Sequence, residues 1–190
     1  MKIVLLRHGR PEIDLHHRQH EKISAFDIKK IIEDYRWIGL AEPQSIPSQV
    51  KLLAAQCNIC VTSDVARSIE SAQLIVGDNI YKSDSIYREA EMPHPLWQWP
   101  RFSMKYWFFL LRCFWYLGYQ QNGESVVEVK QNAKIGALQL VEFAEKHSSV
   151  LLVGHGINIH FLAKELLALG WLGSNNCATS YWDYNQFVLE

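Results

Sequence analysis

The residues best suited to chemistry stand directly after three apolar runs. KIVLL is followed by Arg7-His8-Gly9, VLLV by Gly154-His155-Gly156, and ICVT by a segment that contains Ser63 and Arg67. A neutral imidazole is a nucleophile, and guanidinium groups bind phosphate oxygens through paired hydrogen bonds. These residue types therefore point to phosphoryl transfer.

Each of these residues has a definable part in such chemistry. Positive charge from Arg7 and Arg67 lowers the pKa of a neighbouring histidine and keeps it unprotonated. A second histidine, if protonated, stabilises negative charge on the phosphoryl oxygens. Backbone N–H groups at the helix starts after Ser63 and Gly156 add donors. The glycines beside His155 let the backbone approach a ligand closely.

The elements that must position these residues alternate between strands and helices. The apolar runs predict strands at 2–6, 59–62 and 150–154, and the final ten residues have the pattern of a last strand. Helical spacing predicts helices at 48–56, 64–76, 125–146 and 157–169, the last ended by Gly170. This order predicts an α/β fold: a three-layer α/β/α sandwich with a mostly parallel central sheet. Such sheets bind ligands at the carboxyl ends of their strands.

Composition narrows the class of protein. The 190 residues suit one domain, and 48% hydrophobic and 21% charged residues are typical of a globular protein. A formal net charge of −1 gives no general attraction for nucleic acid, so no nucleic-acid partner is expected. The first apolar run is too short for a signal peptide, and a cytoplasmic location is the default expectation.

Two clusters resemble metal or redox sites. Cys57 and Cys60 form a C-x-x-C, which fits a redox pair or half of a zinc site, but no second pair completes it. We expect these cysteines to be structural and to lead into a strand. The stretch His16-His17-Arg18-Gln19-His20 is interpreted as a basic loop that faces solvent or substrate, because adjacent histidines seldom point at one centre. No metal site is predicted.

Four motifs, in order along most of the chain, resemble the histidine phosphatase superfamily, which includes phosphoglycerate mutase. They are Leu6-Arg7-His8-Gly9, the segment from Thr62 to Ala72, Gly123-Glu124-Ser125 and Gly154-His155-Gly156. Arg7-His8-Gly9 alone is a weak signal. The four motifs together, each on the expected element, are specific, and they imply the phosphoglycerate mutase-like fold.

The resemblance implies a role for each matching residue. His8 is implied to be the nucleophile that forms a phosphohistidine. Arg7, Arg67 and Gly156 are implied to bind the phosphoryl group, and His155 to complete the pocket and stabilise the transition state. Since arginines and histidines supply the positive charge, the resemblance implies neither a metal ion nor another cofactor.

The proton donor has two candidates, and one phosphate contact departs from the superfamily's pattern. In this superfamily the acid is commonly a glutamate after the third strand, which implies Glu89, with Glu91 as the alternative. Such a group must be protonated when the leaving oxygen departs, so its pKa must be raised. An asparagine that helps to hold phosphate in many members is replaced here by Asp14, whose carboxylate is unfavourable beside a phosphate.

An aromatic-rich segment at about 92–121 is predicted to be a lid or insertion within a single domain of residues 1–190. Its sequence from Pro93 to Tyr119 holds most of the seven tryptophans. A helical lid packed on the domain, a homodimer contact and a membrane-surface patch through 106–119 are the three interpretations, and packing is favoured over the other two. If the segment lines the pocket, the small phosphorylated substrate carries an apolar or aromatic part.

The favoured function is therefore a metal-independent phosphomonoester hydrolase that acts through a phosphohistidine on His8. A phosphoglycerate mutase-type phosphotransferase is one alternative, but such mutases are generally longer. A non-catalytic phospholigand-binding or scaffold protein of the same fold is another. Such a protein would be expected to lack one of four side chains, and all four are present: Arg7, His8, Arg67 and His155. The sequence leaves the physiological substrate undetermined.

Overall fold

The computed structural model of the protein describes residues 1–13, 15, 17–174 and 180–190. Asp14, the His16 of the basic loop, and Cys177 lie outside the described residues. The helices are α1 (Ala25–Arg36), α2 (Ser48–Ala55), α3 (Ala66–Val76), α4 (Met104–Tyr116), α5 (Val126–His147) and α6 (Gly156–Ala168). The strands are β1 (Lys2–Arg7), β2 (Lys22–Ile23), β3 (Ile59–Thr62), β4 (Ile80–Ser83), β5 (Phe102–Ser103), β6 (Ser149–Gly154), β7 (Leu172–Gly173) and β8 (Tyr184–Val188).

The main sheet has six strands in the order β4-β3-β6-β1-β8-β7. Strands β4, β3, β6 and β1 pair in parallel, whereas β8 pairs antiparallel with both β1 and β7. The predicted mostly parallel sheet is confirmed. The parallel strands bring the carboxyl ends of β1, β3 and β6 to one edge, where the motif residues follow.

Both faces of this sheet are covered by helices. In β1, Ile3 and Leu5 belong to the core that includes α5 and α6, while Val4 and Leu6 belong to the core that includes α2 and α3. Side chains alternate between the two faces of a strand, so a continuous apolar run is what a strand buried on both faces requires. The predicted three-layer α/β/α arrangement is therefore observed.

The predicted helix ends are close to the observed ones. Helix α5 begins after Ser125, whose side chain accepts from Glu128 N while the Glu128 carboxylate accepts from Ser125 N, a capping box. Helix α6 ends before Gly170, which has φ of +87°, a conformation that glycine adopts without strain. Helix α1 and the short, largely exposed strand β4 were not predicted from the sequence.

The segment at 92–121 contributes β5 and α4, which pack with β2 and α1 around a separate hydrophobic cluster. Met104 and Leu111 of α4 are fully buried there, and the indole N–H of Trp107 donates to Ile23 O at 2.8 Å. Phe109, on the same helix, is 65% exposed. Within the described residues, no helix is long and apolar enough to cross a membrane.

The C-x-x-C cysteines behave as structural residues. Cys60 is buried in β3, and Cys57 is half-buried just before that strand. Burial raises the pKa of Cys60 to about 12 and also raises the pKa of Cys57. Across the part of the chain that the structure describes, no group of three or more His, Cys, Asp or Glu side chains is placed to hold a metal ion.

Candidate active site

Three strand ends converge on one site. His8 follows β1, Ser63 follows β3 and His155 follows β6. The backbone ties these ends together, because His8 N donates to Gly154 O at 3.0 Å and Ser63 N donates to Val153 O at 3.2 Å. The rings of His8 and His155 lie 5.0 Å apart, centroid to centroid. The sheet edge thus brings together residues that are far apart in sequence.

His8 is held with one ring nitrogen directed at the arginines. Its Nδ1 lies 2.7 Å from Gly9 O, so Nδ1 carries the proton and donates. Its Nε2 accepts from Arg67 Nε at 3.3 Å and is therefore unprotonated. Burial, followed by the charge of Arg67, lowers the pKa of His8 to about 3. The ring is a neutral base with its lone pair in the site.

Arg67, the third residue after the motif's Asp64, is 3% exposed and is fixed from several sides. One terminal nitrogen, Nη1, donates to Tyr35 O at 3.0 Å, and Nη2 lies 3.4 Å from His155 Nδ1. The guanidinium also lies over the Tyr35 ring, 4.6 Å from its centroid. The cation therefore reaches both histidines from one fixed position.

His155 is held by serines of the second motif. Its Nε2 lies 2.7 Å from Ser63 Oγ and 3.3 Å from Ser68 Oγ, while Nδ1 faces Arg67. This pattern is satisfied when Nε2 carries the proton and donates to Ser63. Burial, followed by electrostatic coupling to the His8 ring and by the charge of Arg67, holds the pKa of His155 well below its usual value. His155 is therefore neutral in this arrangement.

Glu89 lies at the start of α6. Its Oε1 accepts from Ile157 N at 3.0 Å and from Asn158 N at 3.1 Å. The pKa of Glu89 is nevertheless raised, because burial outweighs these hydrogen bonds and the charges of Arg7 and Arg67. The expectation that N–H groups after Gly156 serve phosphate is wrong for these two, since the carboxylate occupies them.

Glu91 is placed differently. It is exposed and forms an ion pair with Arg36 at the end of α1. Both glutamates border the same cavity, but only Glu89 is enclosed beside Arg7 and Arg67. Of the two candidates for the acid, the geometry favours Glu89.

The Gly-Glu-Ser motif supports this acidic segment. Glu91 N donates to Glu124 Oε2 at 2.8 Å. A Cβ at Gly123 would lie 2.6 Å from Pro93 N, closer than any carbon can approach, so the two segments touch through their backbones. The motif therefore fixes the course of the chain directly after Glu89.

Sequence reasoning missed two tyrosines that cover the arginines. Tyr35 lies over Arg67, and Tyr181 lies 4.8 Å from Arg7, guanidinium carbon to ring centroid. The two tyrosine side chains also share a hydrogen bond. Ser71 was not predicted either. Its Oγ accepts from Gly9 N at 2.9 Å and donates to Arg67 O at 2.6 Å. Of these three residues, only Ser71 lies within a motif that the sequence indicated.

The glycines of the site differ in how closely protein atoms surround them. A Cβ at Gly9 would lie 2.5 Å from Trp182 Cζ2 and 2.8 Å from Gln44 Oε1, so packing requires glycine at this position. A Cβ at Gly154 would meet no protein atom closer than 3.9 Å, so packing of the protein does not require glycine there. The close approach of a ligand to this position stays a prediction. Gly156 is the first residue of α6.

A cavity of about 570 Å³ opens beside these residues. Its inner part is lined by Arg7, Arg67, Glu89 and Tyr181. Its outer part is lined by α4, through residues that include Phe108 and Phe109. The volume is that of a pocket for a whole small molecule rather than for phosphate alone.

No family model matches the sequence, and no curated protein matches it either. Solved structures do. A mycobacterial glucosyl-3-phosphoglycerate phosphatase in complex with VO3 is 20% identical, with 97% of this chain and 91% of that chain covered and a TM-score of 0.60. Phosphoserine phosphatase from Entamoeba histolytica, in complex with phosphoserine, is 18% identical, with 100% and 91% covered and a TM-score of 0.60. The chain has the histidine phosphatase fold.

The histidine phosphatase fold accounts for where this site lies. The site lies at the carboxyl edge of the parallel sheet, where this class of fold binds ligands. Two arginines, two histidines and the Glu89 carboxyl group meet there. Chemically, the arrangement offers an unprotonated imidazole nitrogen, two cations and a carboxyl group with a raised pKa.

Proposed function

We propose that the protein is a metal-independent phosphomonoester hydrolase that uses His8 as its nucleophile. The observation that carries the proposal is the state of His8, whose Nδ1 is tied to Gly9 O while Nε2 faces Arg67 as an unprotonated nitrogen. A phosphoryl group held by Arg7 and Arg67 would place phosphorus in front of that nitrogen. The named activities of the structural neighbours support the same chemistry.

In the first step, the lone pair of His8 Nε2 forms a bond to phosphorus while the bond from phosphorus to the ester oxygen breaks. The leaving oxygen takes the proton of Glu89, whose raised pKa keeps it protonated at higher pH than an ordinary glutamate. In the second step, water attacks phosphorus, Glu89 takes a proton from that water, and the P–N bond breaks. Inorganic phosphate leaves and His8 is restored.

His155 acts when the site holds an anion. Burial and neighbouring cations lower its pKa. A bound phosphoryl dianion acts in the opposite direction and favours a proton on the ring. His155 then donates to the phosphoryl oxygens and stabilises their charge in the transition state, while Ser63 keeps the ring in place.

We further propose that the segment at 92–121 forms a wall or lid of the pocket and that the substrate carries an apolar or aromatic part. The support is that Phe108 and Phe109 of α4 line the same cavity as Arg67. Aryl phosphates should then be hydrolysed with higher kcat/KM than phosphoglycerate. A clear preference for phosphoglycerate would contradict the proposal.

The central test is to trap the intermediate. Wild-type protein is mixed with p-nitrophenyl phosphate in excess chelator, quenched in alkali and examined by intact mass for one added phosphoryl group. We expect the adduct and steady turnover in wild type, and neither in His8→Ala. Activity abolished by the chelator, or undiminished in His8→Ala, would overturn the mechanism.

A further inference from the structure

Two cations of α4 line the outer part of the cavity. Lys105 and Arg112 border the same cavity as Arg7 and Arg67, although they come from a helix outside the central sheet. They are seven residues apart, or roughly 10 Å along a helix axis, and lie on one face of α4. Phe108 and Phe109 stand between them and line the cavity too. The face thus consists of two apolar rings with a cation at each end.

These two cations differ from the others at the cavity mouth. Arg36 is paired with Glu91, and Arg88 is paired with Asp64. Among the described residues, no carboxylate lies within ion-pair distance of Lys105 or Arg112, and α4 itself contains no acidic residue. Their positive charge is therefore available to a ligand.

Helix α4, which carries this face, is anchored by two buried tryptophans. Within α4, the Trp107 indole donates to Ile23 O and the Trp115 indole donates to Glu124 O, each at 2.8 Å. Both tryptophans are 1% exposed. A helix anchored in this way fixes the backbone positions from which the two cations extend, which favours selective binding over a diffuse field.

We propose that Lys105 and Arg112 form a second anion-binding subsite, so that the substrate is a phosphomonoester whose apolar body ends in a second anionic group, a carboxylate or a phosphate. The inference rests on the proposed function for the orientation of the ligand. The phosphoryl group to be cleaved binds at Arg7 and Arg67, the apolar body packs against Phe108 and Phe109, and the distal anion reaches the α4 cations.

The test uses three matched series of non-aromatic esters with increasing chain length: n-alkyl phosphates, ω-carboxyalkyl phosphates and ω-phosphonoalkyl phosphates. In the double variant Lys105→Gln/Arg112→Gln, kcat/KM for the best ω-anionic ester should fall about tenfold. The matched n-alkyl ester should change less than about twofold, since it has no group for the subsite. The control Lys130→Gln/Lys134→Gln removes two exposed charges from α5 and should leave both esters unchanged.

Chain length separates a subsite from a general electrostatic effect. With a subsite, the advantage of the ω-anion over the n-alkyl ester peaks at one chain length, where the anion reaches α4, and falls on either side. An equal advantage at every length would overturn the proposal, as would an equal loss for both esters in the double variant. A peak with the carboxylate series identifies a carboxylate ligand, and a peak with the phosphonate series alone identifies a second phosphate.

A binding measurement keeps this result separate from the proposed function. Calorimetric titration of wild type and His8→Ala with alkylphosphonates that carry or lack an ω-carboxylate requires no turnover. Tighter binding of the carboxylate form, lost in the double variant, supports the subsite even if the protein hydrolyses no ester. Equal binding of the two ligands overturns the subsite, even if His8-dependent hydrolysis is observed.

Discussion

The two walls of the cavity are built in opposite ways. On the inner wall, His8 and Arg67 are 2% and 3% exposed, and each is fixed by backbone or side-chain partners from different elements. On the outer wall, Lys105 and Phe109 project from a single helix and are exposed. The inner wall is assembled from strand ends that the core cannot easily move, whereas the outer wall depends on side chains that can change without disturbing the sheet.

This difference separates two kinds of functional effect. Changes to the inner wall alter the reacting groups, so they should reduce kcat equally for esters whose leaving groups are similarly basic, whatever the rest of the substrate. Changes to the outer wall alter only contacts to the rest of the substrate, so their effect should depend on which ester is used. An inner-wall variant whose effect depended on the distal part of the substrate, at constant leaving-group basicity, would break the comparison.

The largest effect is expected from Arg67→Met. The change removes the cation that contacts Nε2 of His8 and faces His155, while keeping an apolar side chain of similar length. We expect kcat/KM to fall by about a thousandfold for all esters, since one fixed donor to a developing charge contributes on that scale. Arg88→Met is the control, because Arg88 borders the cavity but is paired with Asp64. Equal losses in the two variants would show that the position of Arg67 has no special role.

Glu89→Gln should give the next largest effect and should depend on the leaving group. Alkyl phosphates need a proton on the departing oxygen, so we expect kcat to fall about a hundredfold. For p-nitrophenyl phosphate, whose leaving group is stable as an anion, the first step should change little. Glu91→Gln, which removes an exposed carboxylate paired with Arg36, should retain activity. Burst kinetics and steady-state rates with both esters distinguish these outcomes, and a larger loss in Glu91→Gln would reverse the assignment.

The pH profile tests the same assignment without changing the fold. His8, with a pKa of about 3, stays neutral above that pH. Its titration therefore causes no change of kcat near neutral pH. The pKa of Glu89 is raised, and its protonated form is lost as pH rises through that value. For alkyl esters, kcat should therefore fall by about tenfold per pH unit on the basic side. In Glu89→Gln this limb should disappear, whereas a limb that persists belongs to the substrate or to another group.

Much of the fold was predictable from the sequence because the three central strands are buried on both faces. A strand covered on both faces must be apolar at every position, which makes β1, β3 and β6 visible as short unbroken runs. Strand β4 lies at the sheet edge with three of its four residues exposed, so its sequence, IYKS, has no such pattern. Helix α1 packs mainly on the separate cluster with α4, and local sequence does not indicate that contact.

The part of the site that follows the central strands was predictable from the sequence, and the part contributed by other elements was not. Residues directly after the apolar runs had to meet at one edge, which placed His8, Arg67 and His155 together. The tyrosines that cover the arginines come from the end of α1 and from the loop before β8, and no spacing connects them. The choice between Glu89 and Glu91 depended on which carboxylate reached the start of α6, which only the folded backbone decides.

The smallest effect, on stability rather than chemistry, tests how closely the inner wall depends on its packing. Gly9→Ala would place a carbon 2.5 Å from Trp182 Cζ2, so the loop after β1 or the indole must move. We expect a loss of about 1–3 kcal/mol in the free energy of unfolding, measured by urea denaturation. Gly154→Ala is the matched control at the end of β6, where the nearest atoms lie 3.9 Å from the added carbon, and its effect should stay within about 0.5 kcal/mol. If both changes are equally mild, the strand ends tolerate displacement, and the inner wall is no more constrained by its packing than the outer one.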